Sequence, residues 1–264
     1  MSHLGKFTED CRLIRATAPL IHNITNYVAM EFSANALLAV GASPLMSSEP
    51  DEMQEISGIS SALVINPGCL EKRQIEAMRI AAEAAYGSGK PWVLDPVGAG
   101  ASRLRTDTAL ELLSRFRPSV VRGNASEIMV LAGASSRPHG VDSADGSLEA
   151  LEHAKAVANE YGTVVSVSGP VDYITDGKSV ASIRNGSPLM PCVTAMGCTA
   201  TALTAAFLAV DPDSMSAATC AMALMGVAGE KAAAESGGPG SLRVRFIDTL
   251  YNLDPETASG MIRI

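Results

Sequence analysis

The 264-residue chain is short of three things, and each shortage excludes a class of protein. Aromatic residues are only 4% of the sequence, one Trp, five Tyr and five Phe. Stacking platforms for single-stranded nucleic acid are therefore missing, and small residues and Met must fill the core. Charged residues are only 18%, and 20 Lys and Arg face 28 Asp and Glu for a net charge of −8. Such a chain has no basic surface to draw phosphate backbones or anionic lipid, so no nucleic-acid partner is expected and any phosphate site must be local. Clustered thiols and imidazoles are the third absence. Cys11, Cys69, Cys192, Cys198 and Cys220 are odd in number, scattered and without a CxxC pair, which fits a reducing compartment rather than a disulfide framework. His3, His22, His139 and His153 lie far apart and form no HExxH or Cys/His cluster, which argues against zinc.

Apolar runs of membrane type are missing as well. The first twenty residues, MSHLGKFTEDCRLIRATAPL, mix charges throughout and lack the apolar stretch of a secretory signal, so a cytoplasmic location is expected. No charge occurs between Arg184 and Asp211, yet Pro188 and Pro191 interrupt that stretch and Thr194, Thr199, Thr201 and Thr204 stand among its alanines. That pattern suits a buried helix better than a span of ~20 strongly apolar residues. No linker, repeat or low-complexity tract breaks the chain, and a single domain over residues 1–264 is expected. Hydrophobic residues make up 47%, enough for a large core and for burial between subunits.

What is present is a rhythm of short apolar runs, Gly/Pro/Asp turns and Ala-rich amphipathic stretches, the βαβ pattern of an α/β fold with a parallel sheet covered by helices. Strands are predicted at Ala62–Ile65, Trp92–Leu94, Val120–Val121 and Thr163–Val167, each nearly continuously apolar. Helices are predicted at Glu71–Tyr86, Thr106–Arg115, Ala125–Leu131 and Ser147–Tyr161, the last stopped by Gly162. Asp176-Gly177 between Tyr173–Thr175 and Val180–Ile183 predicts an antiparallel hairpin beside the parallel strands. From Gly197 to Asn252 the sequence reads as helices broken near Pro212 and at Gly237–Gly240.

Ligands of open α/β sheets gather at the carboxyl ends of the strands, so the turns that follow them are where chemistry is expected. They read Asn66-Pro67-Gly68, Asp95-Pro96-Val97-Gly98-Ala99-Gly100, Arg122-Gly123-Asn124-Ala125-Ser126-Glu127 and Ser168-Gly169-Pro170, with Thr194-Ala195-Met196-Gly197-Cys198 opening an Ala/Thr-rich helix. Asp95 suits either a helix cap or an oxygen ligand for Mg²⁺. Asn124 with Glu127 matches a capping box, and Glu127 also suits a metal or phosphate acid. Arg122 is of the type that pairs with phosphate, and two acids with an arginine on adjacent strand ends suit phosphoryl transfer. The Thr194–Cys198 turn can hold phosphoryl oxygens on its open backbone N–H groups. Cys198 is either a buried small hydrophobe or a thiol with its pKa lowered by the helix terminus, beside an acceptor hydroxyl. No GxxxxGK[ST] occurs and no GxGxxG opens a βαβ unit, which excludes the common nucleotide loops.

Taken together, Pro19–Val28 (PLIHNITNYV), Gly41–Ser47 (GASPLMS), Asn66–Gly68, Leu94–Gly100, Arg122–Ile128, Asp172–Gly177 and Gly238–Ser241 resemble the hydroxyethylthiazole kinases of thiamine salvage, in the ribokinase-like superfamily. The resemblance runs nearly end to end. It implies a three-layer fold with a mostly parallel central sheet, helices on both faces and an antiparallel hairpin at one side. It implies Mg²⁺- and ATP-dependent phosphorylation of the alcohol of 4-methyl-5-(2-hydroxyethyl)thiazole by a homotrimer with active sites between subunits. By position, Asn26 and Met46 then look like thiazole contacts, with Ala195 and Gly197 in the anion-hole turn. Arg122, Ser168 and Asn124 look like ATP contacts, Asp95 and Glu127 like the metal and phosphate acids, and Cys198 like the catalytic group. Three features bear on this: Ser168 replaces the family's usual Thr and keeps the hydroxyl; Ala195 replaces the first Gly of its GxGC turn; and Cys198 matches this family where other members of the superfamily carry Asp as general base. Hydroxymethylpyrimidine and pyridoxal kinases, and a non-catalytic nucleotide-binding relative, are the competing expectations.

Overall fold

The computed structural model describes residues 3–134 and 144–264. Its strands are β1 (Leu20–Ile24), β2 (Ser43–Met46), β3 (Ala62–Ile65), β4 (Trp92–Leu94), β5 (Val120–Asn124), β6 (Val164–Ser168), β7 (Asp172–Thr175) and β8 (Val180–Ile183). Its helices are α1 (Phe7–Thr17), α2 (Met30–Val40), α3 (Met53–Ile59), α4 (Lys72–Ser88), α5 (Arg103–Phe116), α6 (Ala125–Leu131), α7 (Ala144–Tyr161), α8 (Met196–Leu208), α9 (Ser214–Ala234), α10 (Pro239–Asn252) and α11 (Pro255–Met261). The strands form one sheet in the order β2-β1-β3-β4-β5-β6-β7-β8, parallel from β2 to β6 and antiparallel at β6–β7 and β7–β8.

The two-residue period of the strands divides the core between two faces. Val64, Val93 and Val120 point to the layer built on α1, α2, α8, α9 and α10. Their neighbours Leu63, Ile65, Leu94 and Val121 point to the layer of α3 to α7. This is the expected three-layer fold. The helical part of the charge-free stretch is α8, a buried helix as expected, with every residue from Thr199 to Leu208 inside. Its threonines find internal partners: Thr204 Oγ1 donates to the Ala200 carbonyl at 2.8 Å, and Thr199 pairs with Ser33 across to α2 at 3.5 Å. Among the described residues no helix is long and apolar enough to cross a membrane.

Boundaries differ from the sequence pattern where side chains cap the backbone. The predicted helix from Thr106 starts at Arg103, because Ser102 accepts from the Arg105 amide at 3.3 Å. The predicted strand Val120–Val121 runs on to Asn124, since β6 pairs with it residue by residue as far as Ser168. The Asp-Gly hairpin exists between the expected strands, its register joining Thr175 to Val180 across a four-residue loop. Asp176 Oδ1 holds the Lys178 and Ser179 amides at 2.8 and 2.6 Å, and Gly177 takes the positive φ, 90°, that the turn needs.

Candidate active site

Three parallel strands end in step. Ile24 pairs with Ile65 and Ile65 with Leu94, so Thr25-Asn26, Asn66 and Asp95 leave the sheet along one rim. The backbone ladder carries one step further, with the Asn66 amide donating to the Ile24 carbonyl and the Asp95 amide to that of Ile65, each at 2.9 Å. Side chains then continue it. Asn26 Nδ2 donates to Asn66 Oδ1 at 2.9 Å and to Cys198 Sγ at 3.4 Å. Asn66 Nδ2 donates to Asp95 Oδ2 at 2.9 Å, and Thr201 Oγ1 donates to the same oxygen at 2.7 Å. Both ends of this chain lie on α8, one turn apart. Asp95 is not a helix cap, since Ser102 caps α5. It is buried, and burial pushes its pKa up; Glu127 adds to this, against the opposing Arg122 charge and the bonds from Thr201 and Asn66. Among the described residues no hydrogen bond occupies Asp95 Oδ1.

The second half of the rim is built around a buried cation. Arg122 is 8% exposed, and its Nη2 donates to Ser168 Oγ at 2.7 Å. Its Nε is buried without a partner, and no carboxylate among the described residues forms an ion pair with it. The guanidinium lies over the first turn of α8, where a Cβ on Gly197 would stand 2.8 Å from Nη1, so a larger residue there would displace the guanidinium. Ala195, the N-cap of α8, sits in the left-handed region at φ 71° and offers no side-chain acceptor to the helix amides. A buried unpaired cation and the positive end of a 13-residue helix therefore meet at one point, and both are satisfied by an anion.

Glu127 joins the turns after β4 and β5. Its Oε2 accepts from the Asn124 amide and its Oε1 from the Gly98 amide, each at 2.9 Å, while Asn124 Oδ1 accepts from the Glu127 amide at 3.0 Å. The capping box read from the sequence is present, and Glu127 spans it to the Asp95–Gly100 turn. Asn124 spends its side-chain oxygen on the cap and on Ser126 Oγ at 2.8 Å. Met46 joins the rim from the edge strand, half-buried and level with Asn23.

The expected lowering of the Cys198 pKa by the helix terminus does not occur. Burial first, and Asp95 second, push the thiol up and outweigh the Asn26 and Asn66 bonds and the Arg122 charge. Cys198 is a protonated thiol at neutral pH, because burial and the Asp95 charge disfavour a thiolate more than Arg122 and the amide donors favour it. Two further residues belong to the site but were assigned no role by sequence reasoning. Asn66, wholly buried, is the centre of the side-chain chain. Asp172 is buried beside Arg122 and its Oδ1 accepts from the Gly169 amide at 3.0 Å; burial pushes its pKa up to about 7 against that bond and the Arg122 charge. The signal available was an acid opening an apolar strand two residues after the Ser168-Gly169-Pro170 turn.

The model of the hydroxyethylthiazole kinase family matches residues 11–256. A hydroxyethylthiazole kinase from Nitratidesulfovibrio vulgaris is 52% identical over 264 residues, covering 100% of this chain and 99% of the relative. One from Brachyspira hyodysenteriae is 54% identical over 250 residues, covering 95% and 94%. The solved hydroxyethylthiazole kinase of Pyrococcus horikoshii superposes with a TM-score of 0.90 at 40% identity, covering 97% of each chain. A pyridoxal kinase from Staphylococcus aureus, solved with pyridoxal, gives a TM-score of 0.63 at 17% identity over 80% of this chain and 88% of its own. That likeness shows the shared ribokinase-like fold alone. With a family match over most of its length and relatives half identical across it, the chain belongs to the hydroxyethylthiazole kinase family.

Proposed function

We propose that the chain transfers the γ-phosphoryl group of ATP to the hydroxyethyl alcohol of 4-methyl-5-(2-hydroxyethyl)thiazole, yielding the thiazole phosphate and ADP for thiamine salvage. The observation that carries the reading is Arg122, a buried cation that forms no ion pair among the described residues and whose Nε has no partner, laid over the open first turn of α8. Phosphate oxygens supply the missing charge. Arg122 and Ser168, backed by the Asn124 cap, take the nucleotide phosphates, and the backbone amides of the Ala195–Cys198 turn take the group in transit. Asn26 and Met46 border the thiazole, with its hydroxyl directed at Cys198.

Phosphoryl transfer also calls for Mg²⁺, and the donor set fits it. Asp95 and Glu127 offer hard carboxylate oxygens, and both donors to Asp95 bond its Oδ2, leaving Oδ1 without a hydrogen bond among the described residues. No group of three or more His, Cys, Asp or Glu capable of holding a metal occurs among the described residues, which exclude His139. That suits Mg²⁺, an ion carried by one or two carboxylates, waters and substrate phosphates rather than by an all-protein cage. When bound it would neutralise charge on the phosphates.

A protonated Cys198 fits a loose transition state, in which the attacking hydroxyl keeps its proton until late and positioning supplies most of the acceleration. The thiol and the Asn26 amide orient the hydroxyl. The functional unit we infer is a homotrimer, a reading supported by the exposed apolar Tyr27 and Val28 next to Asn26 and by the half-buried edge strand β2. The test is ADP release and product mass with Mg-ATP and the thiazole alcohol, run beside hydroxymethylpyrimidine and pyridoxal. Turnover with the thiazole alone is expected, and turnover with a rival only would overturn the substrate.

A further inference from the structure

We propose that Asn66 is a positioning residue for the acceptor side of the site, one carboxamide that holds Asn26 and Asp95 in a single arrangement; this rests on the thiazole-kinase reading. Its two ends are used differently. Oδ1 accepts from Asn26 Nδ2 at 2.9 Å and from the Gly68 amide at 3.0 Å, while Nδ2 donates to Asp95 Oδ2 at 2.9 Å. Only a side chain with donor and acceptor on one rigid plane can serve both neighbours. An aspartate would keep the acceptor and place a charge against Asp95, and an alanine would take one partner each from Asn26 Nδ2, Asp95 Oδ2 and the Gly68 amide.

The turn around it is built to keep that plane fixed. A Cβ on Gly68 would stand 2.7 Å from Asn26 Nδ2, so the turn closes over the Asn26 amide only because residue 68 is glycine. From outside, Arg105 on α5 holds the same turn, donating from Nη1 to the Pro67 carbonyl at 2.7 Å and from Nη2 to that of Gly68 at 2.9 Å. Asn26 has no freedom left either: its Oδ1 accepts from the Ala29 amide at 3.0 Å, and its Nδ2 reaches both Asn66 and Cys198. Turning the Asn66 amide would therefore turn Asn26 away from the thiol and release Asp95 together. A residue that only supported the fold would have no reason to join the acceptor side to the acid and leave Arg122 and Ser168 untouched.

The experiment is steady-state kinetics of Asn66→Ala and Asn66→Asp, with melting temperature and wild-type turnover of the thiazole alcohol measured alongside. For Asn66→Ala the expected kcat loss is ~10²-fold, the scale of an ångström-level misplacement. Its thiazole KM is expected to rise about tenfold, as for a lost buried hydrogen bond, while the ATP KM stays within about twofold. Asn66→Asp is expected to lose kcat with little change in thiazole KM, because the Asn26 contact survives. Adding Asn26→Ala to Asn66→Ala is expected to raise the thiazole KM by less than about threefold more, since the two share one bond. An ATP KM that rises with the thiazole KM, or fully multiplicative single effects, would overturn the proposal. If Asn66→Ala does not fold, Asn66→Asp is compared with Thr201→Val, each of which removes one donor to Asp95. Because the aspartate also sets a charge against Asp95, a kcat loss in Asn66→Asp at least as large as in Thr201→Val, at unchanged thiazole KM, supports the role, and a smaller loss or a raised thiazole KM in Asn66→Asp refutes it. Absence of wild-type turnover would sink the substrate reading; wild-type turnover matched by Asn66→Ala would sink the role of Asn66 alone.

Discussion

Asp10 with Asp211, past the carboxyl end of α8, and Asp95 with Asp172, around its amino end, are two pairs of buried acids, each beside a single cation. In the first pair Lys6 reaches in from solvent and its Nζ donates to Asp211 Oδ1 at 2.8 Å. Burial, the largest influence on Asp211, acts upward, yet Lys6 and the Ser216 and Asp213 bonds hold its carboxyl below the ordinary range. Asp10 is left over: burial, then Asp211, pushes it up to about 6 against Lys6, and Oδ2 of each acid is unpartnered. In the second pair neutral donors hold the acids and the arginine is left unpaired. A strained acid therefore marks no site by itself, since both pairs have one. What distinguishes the functional end is a buried cation kept free at an open helix terminus.

The same substitution at the two ends tests this most sharply. Asp95→Asn is expected to lower kcat by ~10³-fold without lowering the melting temperature, because an amide tolerates burial better than a carboxylate and the lost charge matters only to the reaction. A kcat within tenfold of wild type would break the comparison. Cys198→Ala, near the same helix end, is expected to cost no more than ~10²-fold in kcat, the lower end of general-base effects, because the thiol is protonated and orients rather than abstracts. A loss of ~10⁴-fold would make a thiolate essential and contradict the upward shift of its pKa.

At the other end Asp10→Asn is expected to leave kcat unchanged and to stabilise the fold in a pH-dependent way. The folded-state pKa of Asp10 lies above the unfolded value of 3.8, so the native chain binds its proton more tightly. Wild-type stability from this group is full below pH 3.8 and is lost as pH rises through about 6. The variant should gain about 1 kcal/mol at pH 8, after allowance for screening and the lost Lys6 attraction, or roughly 2–4 °C in Tm, and nothing at pH 4. Equal melting shifts at both pH values would refute it. The smallest effect is expected of Ala195→Gly, which relieves the left-handed alanine, worth ~1–2 kcal/mol, but gives back ~0.4–1 kcal/mol in unfolded-chain entropy. Thermal melting should show a gain of a degree or two with kcat unchanged; a loss of stability would mean that the φ of 71° carries no strain.

The sequence made the strand-rich middle of the fold legible, because continuous apolar runs bounded by Gly and Pro admit few readings. Ala62–Ile65 and Trp92–Leu94 were placed to the residue. The first sixty residues were not, since β1 (LIHNI) carries His22 and Asn23 inside an apolar stretch and β2 contains Pro44, a residue that argues against a strand except at an edge, where β2 lies. At the site, residue types at strand ends pointed correctly to the rim that gathers Asp95, Arg122, Ser168 and Cys198. Connectivity was not readable: that Asn66 links Asn26 to Asp95 depends on the β1–β3–β4 register, and that Cys198 is raised rather than lowered depends on its burial beside Asp95.

The most direct test of the unpaired cation is the binding of Mg²⁺ with a non-hydrolysable ATP analogue, and of adenosine, to wild type and Arg122→Met by calorimetry. The variant is expected to bind the analogue ~10–100-fold more weakly, the worth of a charge-assisted hydrogen bond, with adenosine affinity and melting temperature unimpaired. Undiminished affinity for the analogue, or an equal loss for adenosine, would contradict this.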